Sequence, residues 1–193
     1  MTAPFRVPVR VETERLVLRH WDPDRDVDDY HALIVDNADR LRRWMPWAAH
    51  EPLSRADHAQ WLAQCAAWAE QGGRTFLAIT DAATGRVIGS AGLHPTNSPR
   101  TREIGYWLAH GSVGRGLATE VVVALTEVAL GSARANRIEI LTLPDNASAI
   151  AVARRAGFHD EGLTHDTHAG VPMALWAAGH TWNGPCRVRR IAR

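Results

Sequence analysis

The stretch with the clearest chemistry is Val113-Gly114-Arg115-Gly116-Leu117-Ala118-Thr119-Glu120. It follows a strand-like run, Glu103-Ile104-Gly105-Tyr106-Trp107-Leu108, and opens an apolar segment over residues 121–130 that reads as a helix. Glycine lets backbone N–H groups approach a ligand, and a helix start adds unpaired donors at the positive end of its dipole. A strand, a glycine loop and a helix N-terminus in that order form an anion cradle suited to a pyrophosphate.

Three familiar phosphate motifs do not fit. Gly-x-x-x-x-Gly-Lys-[Ser/Thr] is absent, so a P-loop lacks its lysine and its magnesium hydroxyl. A dinucleotide site needs G-x-G-x-x-G after a first strand and an acid about 20 residues on, and this loop has neither. The kinase lysine and H-R-D motif are missing as well. His165 and His168 have no cysteine partner or clear third ligand, so no metal site is expected.

The elements that position the cradle can be taken in chain order. Residues 1–9, with two prolines, read as a flexible lead-in, and residues 14–19 alternate as a first strand. Asp24 or Asp26 is placed to cap a helix running to about residue 36. Leu41-Arg42-Arg43-Trp44-Met45-Pro46-Trp47 is too irregular for one helix and reads as a loop or short helix. Trp44 and Trp47 either lid the core or lie over a substrate cleft. Ser54-Arg55-Ala56-Asp57 is a capping box that starts a helix to about Gln71, with Cys65 as a small core residue on it. Residues 74–80 and 86–94 read as a hairpin, 102–108 and 137–142 as strands, 147–156 as a helix stopped by Gly157, and 158–164 and 171–178 as the last strands. The result is one α+β (mixed α/β) domain over residues 10–183, followed by a basic tail, 184–193, that is expected to be disordered.

The bulk numbers agree with a soluble globular chain: 193 residues, 46% hydrophobic and 22% charged. A net charge of +1 gives no bulk field for nucleic acid or membrane, and neither partner is expected. Two cysteines, Cys65 and Cys186, are too few for a disulfide framework, and the first ten residues lack a signal-peptide core. A cytoplasmic protein is the expectation.

Val113-Gly114-Arg115-Gly116-Leu117-Ala118 resembles the acyl-CoA loop [Gln/Arg]-x-x-Gly-x-[Gly/Ala] of the GNAT acyltransferases. That superfamily then has a strand, an Asn, and a helix ending in Gly-Phe, matched here by residues 137–142, Asn146 and Gly157-Phe158. Arg15-Leu16-x-Leu18-Arg19, Trp44-x-Pro46-Trp47 and Glu103-Ile104-Gly105-Tyr106-Trp107-Leu108 are similar to the Rim-type subgroup, which acetylates ribosomal-protein N-termini. The resemblance spans roughly residues 10–182. It implies a twisted mixed sheet of about seven strands with about four helices, in which two parallel strands splay apart. An acyl-pantetheine arm lying in that gap satisfies their unpaired backbone groups as an added strand would.

By the same resemblance, backbone groups of Val113, Gly114, Arg115, Gly116, Leu117, Ala118 and Thr119 hold the pyrophosphate of acetyl-CoA, Arg115 and Arg155 meet its charge, and Asn146 reaches the pantetheine. Three positions depart from the family pattern. Val113 stands where Gln or Arg is usual, Ala153 where many members have a tyrosine acid, and Ala149 where some Rim-type members have a serine, with Ser148 one place earlier.

The reaction needs an uncharged amine, a stabilised oxyanion and a proton for the departing thiolate. An α-amine has a pKa near 8, so deprotonating it takes modest help. A backbone N–H near Trp107 or Leu108 is the candidate oxyanion donor. Glu103 is the candidate base, since alternation groups it with Gly105 and Trp107 on one strand face; His94 is the second, and Ser148 the candidate acid. The expected partners are acyl-CoA and an amine acceptor, a protein N-terminus by subgroup resemblance, with a homodimer allowed. A small-molecule amine, a longer acyl group such as succinyl, or an acyl-CoA-binding module without turnover remain open.

Overall fold

The computed structural model describes residues 5–131, 135–165, 170–185 and 187–192. Strands β1 (Arg10–Glu12) and β2 (Leu16–His20) lead into helices α1 (Val27–Trp44) and α2 (Arg55–Gln71), with a 3-10 turn, Pro46–His50, between the helices. A meander of β3 (Thr75–Asp81), β4 (Val87–Pro95) and β5 (Thr101–Leu108) follows. The chain continues through α3 (Leu117–Leu130), β6 (Arg137–Thr142), α4 (Ala147–Arg155), β7 (His159–Thr164), β8 (Met173–Gly179) and β9 (Arg190–Ala192). All nine strands join one sheet in the order β7-β8-β6-β5-β4-β3-β2-β1-β9. The mixed α+β architecture is the expected one, with two more strands than expected because β1 and β9 extend the sheet beyond β2.

Helices cover both faces of this sheet. On one, Leu16, Leu18, Ile79, Leu93, Ile104 and Ile138 pack with the Val121–Leu125 stretch of α3 and with Val152 and Ala153 of α4. On the other, Ala78, Val87, Trp21 and Trp107 pack with Tyr30, Ile34 and Leu41 of α1 and Leu62 of α2. Each large aliphatic side chain buried this way contributes roughly 1.5–3 kcal/mol. Cys65 is one of these buried groups, and burial pushes its thiol up to about 12, so it serves packing and not nucleophilic chemistry.

Local signals explain most boundaries. Ser54 Oγ accepts from the Asp57 backbone N–H while Asp57 accepts from the Ser54 N–H, which completes the capping box of α2. Gly72 ends that helix at φ 75°. Helix α1 runs eight residues past the expected end at residue 36, because Ala38 and Leu41 continue its buried stripe as far as Trp44. Residues 41–44 therefore form its last turn rather than a loop. Asp26 sits at the N-cap position without capping: its carboxylate is taken by Arg19 and by the Asp22 N–H.

Both chain ends are more ordered than their composition suggests. Phe5 and Val7 are buried, and the Arg102 guanidinium lies 4.3 Å over the Phe5 ring, so the lead-in is packed from Phe5 onward. At the other end β9 pairs with β1, and Glu127 accepts from the Arg187 and Val188 N–H groups. Within the tail expected to be disordered, Arg190–Ala192 form an edge strand, because an acid on α3 and the open edge of β1 supply partners. Cys186 and His168 lie outside the described residues.

Gly89 of β4 pairs with Leu108 at the end of β5. An added Cβ there would collide with the Trp107 carbonyl oxygen and stand 2.9 Å from Leu108 Cα. Gly89→Ala is expected to cost about 1–3 kcal/mol by overpacking, read as a lower urea midpoint at unchanged slope. A wild-type midpoint would show that the two strands do not approach this closely.

Candidate active site

The site begins with a ladder that stops early. β5 and β6 run parallel and pair only at Thr101↔Arg137, Arg102↔Ile138 and Glu103↔Glu139, although each strand continues. On its other edge β5 stays paired with β4 all the way to Leu108. From Ile104 onward the β6-facing edge of β5 has no strand to bond to among the described residues, and this is the splay that the family resemblance implies. A buried strand edge left without partners is costly, so the opening suits a ligand that brings amide donors and acceptors of its own.

At the open end of the splay lies the glycine loop. After a short 3-10 turn, His110–Ser112, Gly114 and Gly116 adopt φ 76° and 75°, and Gly116 is the N-cap of α3. These left-handed conformations are ones that only glycine adopts without strain. Val113 is exposed, so the loop offers backbone donors where the family pattern has a side chain. Arg155, in the last turn of α4, places its Nε 3.4 Å from Thr119 Oγ1 in the first turn of α3, which sets its charge beside the cradle. Arg115 belongs to the loop itself. Leu117 is buried and anchors the start of α3.

The loop is held from below by residues whose site role the sequence did not announce. Glu120 is 2% exposed, and it accepts from Thr13 Oγ1 at 2.6 Å, from the Arg15 N–H at 2.9 Å and from Arg15 Nε at 2.7 Å. Arg15 Nη1 also donates to the Arg115 carbonyl at 2.8 Å. One guanidinium thus joins the helix to the loop. Burial by itself would raise the Glu120 carboxyl, but these donors outweigh it and hold the group below the usual carboxylate range. The signal was an acid within an apolar helical run, a placement that requires a buried partner.

Helix α1 fixes the other side of the opening. Arg40 donates to the Leu108 carbonyl, and Asn37 Oδ1 accepts from the His110 N–H at 2.8 Å. These contacts pin β5 where it passes into the loop.

Glu103 and His94 stand directly opposite each other on neighbouring strands, so their side chains share a face. Glu103 is also the last β5 residue paired with β6, at the closed end of the splay. The His94 ring lies against Phe76, with centroids 4.7 Å apart, over Gly92 and Gly105, where a Cβ would come within 2.6 and 3.2 Å of it. On the same face Trp107 is buried with α1, and Trp47 reaches it from the 3-10 turn at a centroid separation of 6.4 Å. Trp47 is 48% exposed, whereas Trp44 carries the Arg43 guanidinium over its ring at 4.6 Å. Of the two expected substrate tryptophans, Trp47 is the one joined to Trp107.

The opposite face of β5 carries Ile104, Tyr106 and Leu108 toward α3. Tyr106 has a buried hydroxyl with no hydrogen-bond partner among the described residues. Asn146 caps α4, its Oδ1 accepting from the Ala149 N–H at 3.1 Å. Ser148 is exposed in the first turn of α4, and Ala153 is fully buried. Among the described residues no group of three His, Cys, Asp or Glu could hold a metal ion.

A parallel pair opened beside a glycine-started helix is the framework of an acyl-CoA-dependent transferase. Comparison with known proteins carries this class to a family: residues 15–159 match the Acetyltransferase (GNAT) domain, and the chain belongs to that family. It is 29% identical over 159 residues to "Putative ribosomal N-acetyltransferase YdaF" of Bacillus subtilis (strain 168), covering 79% of this chain and 82% of that one. Among solved structures, the ribosomal L7/L12 alpha-N-protein acetyltransferase RimL in complex with coenzyme A superposes with a TM-score of 0.78 at 22% identity, over 90% of this chain and 97% of that one. The microcin C7 self-immunity acetyltransferase MccE, in complex with acetyl-CoA and AMP, gives 0.76 at 21% identity, over 86% and 93%. The protein is an N-acetyltransferase of the GNAT family, with acetyl-CoA as its acyl donor.

Replacing Glu120 by Gln keeps the shape but removes the charge that gathers Thr13 and Arg15. Because the folded carboxyl lies below its ordinary value of 4.5, its contribution is present above that pH and is lost as pH falls through the folded value. Glu120→Gln is expected to lower stability by about 2 kcal/mol near neutrality and to flatten the loss of stability on the acid side. A variant as stable as wild type, with the same acid limb, would remove Glu120 from this role.

Proposed function

We propose that the protein transfers the acetyl group of acetyl-CoA to a primary amine, the favoured acceptor being the α-amine of a protein N-terminus. The observation that carries this reading is the ladder that ends at Glu103↔Glu139, with the glycine loop at its open end. The N-terminal acceptor is supported by the names borne by its relatives, which include ribosomal N-acetyltransferases.

The chemistry is direct attack in a ternary complex. Backbone N–H groups of residues 113–119 hold the pyrophosphate, Arg115 and Arg155 balance its charge, and the Asn146 Nδ2 hydrogens meet the pantetheine. The amine approaches from the face that carries Trp47, His94 and Glu103. Glu103 takes its proton, with His94 across the strand as the second base. A backbone N–H at Trp107 or Leu108 donates to the thioester oxygen as negative charge develops there. Arg40 and Asn37 act at one remove, by holding the end of β5 in place.

Two substitutions and one assay test this reading. Gly116→Asp puts a carboxylate in the cradle at φ 75°; acetyl-CoA affinity should fall by well over about tenfold, or 1.4 kcal/mol, and unchanged affinity by calorimetry would overturn the site. Glu103→Gln should lower kcat/KM by about a hundredfold with acetyl-CoA affinity retained. Wild-type enzyme given acetyl-CoA and peptides with open N-termini should release CoA thiol, and N-terminally blocked peptides should not. Release with polyamines alone would favour a small-molecule acceptor, and release with neither would favour a binding module without turnover.

A further inference from the structure

A buried ionisable pair lies between α1 and α2, apart from the reacting groups. Glu51, directly after the 3-10 turn Pro46–His50, is 8% exposed, and His58 of α2 is 1% exposed. His58 Nε2 stands 2.9 Å from Glu51 Oε2, and the same oxygen accepts from the Leu53 N–H at 2.8 Å. On its other side His58 Nδ1 meets His31 Nδ1 of α1 at 2.9 Å. An ionised carboxylate only accepts, so His58 Nε2 donates to Glu51, and a single proton lies between the two Nδ1 atoms. Carboxylate and imidazoles thus tie α1, α2 and the turn into one hydrogen-bonded chain. A buried pair of this kind brings little net stability over well-packed apolar side chains. It does fix direction, since each polar group must meet its partner.

What is directed is the turn that carries Trp47. The Glu51 carbonyl accepts from Arg42 Nη1 near the end of α1, and the Glu51 N–H donates to the Ala48 carbonyl within the turn. Side chain and backbone together set where the turn ends, and Trp47 is its second residue. Trp47 reaches Trp107 of β5 at a centroid separation of 6.4 Å. A second route leads from His58 to the same place. The Tyr30 ring meets His58 edge-on at 5.2 Å, Trp21 meets Tyr30 at 5.1 Å, and the Trp21 indole N–H donates to Ser90 Oγ at 3.3 Å. Ser90 stands opposite Trp107 in the β4–β5 ladder. The turn above and the sheet below are therefore both referenced to His58.

We infer that Glu51 and His58, braced by His31, are positioning residues: they hold the Pro46–His50 turn so that Trp47 stands over Trp107 and walls the acceptor side of the opening. This rests on the acyl-transfer reading above, in which the amine approaches from the face that carries Trp47. No proton transfer is assigned to the pair, and its effect on acceptor binding passes through Trp47. The hydrogen bonds matter here and the charge does not. A glutamine at position 51 keeps a carbonyl oxygen with two lone pairs for the Leu53 and His58 donors, whereas a leucine keeps the volume and loses the acceptor.

The experiment uses the full chain labelled with 5-fluorotryptophan, so that each of its eight tryptophans carries a fluorine resonance, and Trp47→Phe identifies the Trp47 line. In Glu51→Leu that line should move toward the position of a solvent-exposed indole, while the Trp176 line, from the opposite face of the sheet, stays and reports an intact fold. In Glu51→Gln the Trp47 line should keep its wild-type position. The same variants are assayed with acetyl-CoA and hexapeptides with open N-termini, the fastest of these being used throughout. Glu51→Leu should raise the peptide KM about tenfold with the acetyl-CoA KM within about twofold, and Glu51→Gln should bring the peptide KM back to within about twofold of wild type. If Glu51→Leu does not fold, His31→Leu removes only the outer brace and is read in the same way. An unmoved Trp47 line in the folded variant overturns the proposal, and so does a moved line with the peptide KM unchanged. An equal rise in both KM values, or a Glu51→Gln variant as impaired as Glu51→Leu, overturns it too, since the pair would then serve the fold at large or act by its charge. If wild-type protein acetylates none of the peptides, the N-terminal acceptor reading fails, and the fluorine spectra still decide whether the pair holds Trp47.

Discussion

The constraint on which this structure turns is a parallel ladder that is only three residue pairs long. A parallel pair inside a sheet would ordinarily continue while both strands last, since each unmade hydrogen bond leaves buried donors and acceptors exposed. Here β5 and β6 both extend past the last pair and diverge. The open edge is stable enough to persist because its surroundings are fixed independently: β5 by its full ladder to β4, and β6 by its full ladder to β8.

Each neighbouring element keeps that opening in shape or equips it. The Arg40 and Asn37 side chains stop the end of β5 from swinging toward β6. The Arg15–Glu120 pair locks the glycine loop onto the first turn of α3, so its backbone donors are in place before any ligand arrives. Preorganisation of this kind lowers the ordering cost of binding. It also explains a buried acid in an otherwise apolar helix, since Glu120 is worth burying only because three donors converge on it. The two faces of β5 pack differently, Trp107 with α1 and α2 and Tyr106 with α3 and α4.

Much of this was legible in the residues. The capping box at Ser54, the stops at Gly72 and Gly157, the hairpin, the cradle glycines and the alternation along β5 are local signals, and each produced the expected element. What was not legible depends on contacts far apart in sequence. Arg15 and Glu120 are 105 residues apart, and Arg40 and Leu108 are 68 apart; neither pair has a local pattern that announces it. The order at Phe5 and at β9 has the same origin, because a charged or proline-bearing end is held by partners the chain supplies elsewhere. Trp44 and Trp47 looked equivalent, and only the 3-10 turn after Pro46 separates them, turning Trp47 to Trp107 and leaving Trp44 with Arg43. Tyr106 read as one more apolar position on a strand. Its hydroxyl is buried without a hydrogen-bond partner among the described residues, which depends on the fold and not on the local pattern.

On the proposed function, an acyl-pantetheine arm completes the sheet between β5 and β6. A crystal structure of the acetyl-CoA complex tests it most directly. In that complex the pantetheine amides should bond the β5 backbone beyond Glu103, the pyrophosphate should sit on the N–H groups of residues 113–119, and the strands should remain apart. A complex in which β5 and β6 close up beyond Glu103↔Glu139, with the coenzyme bound elsewhere, would contradict it.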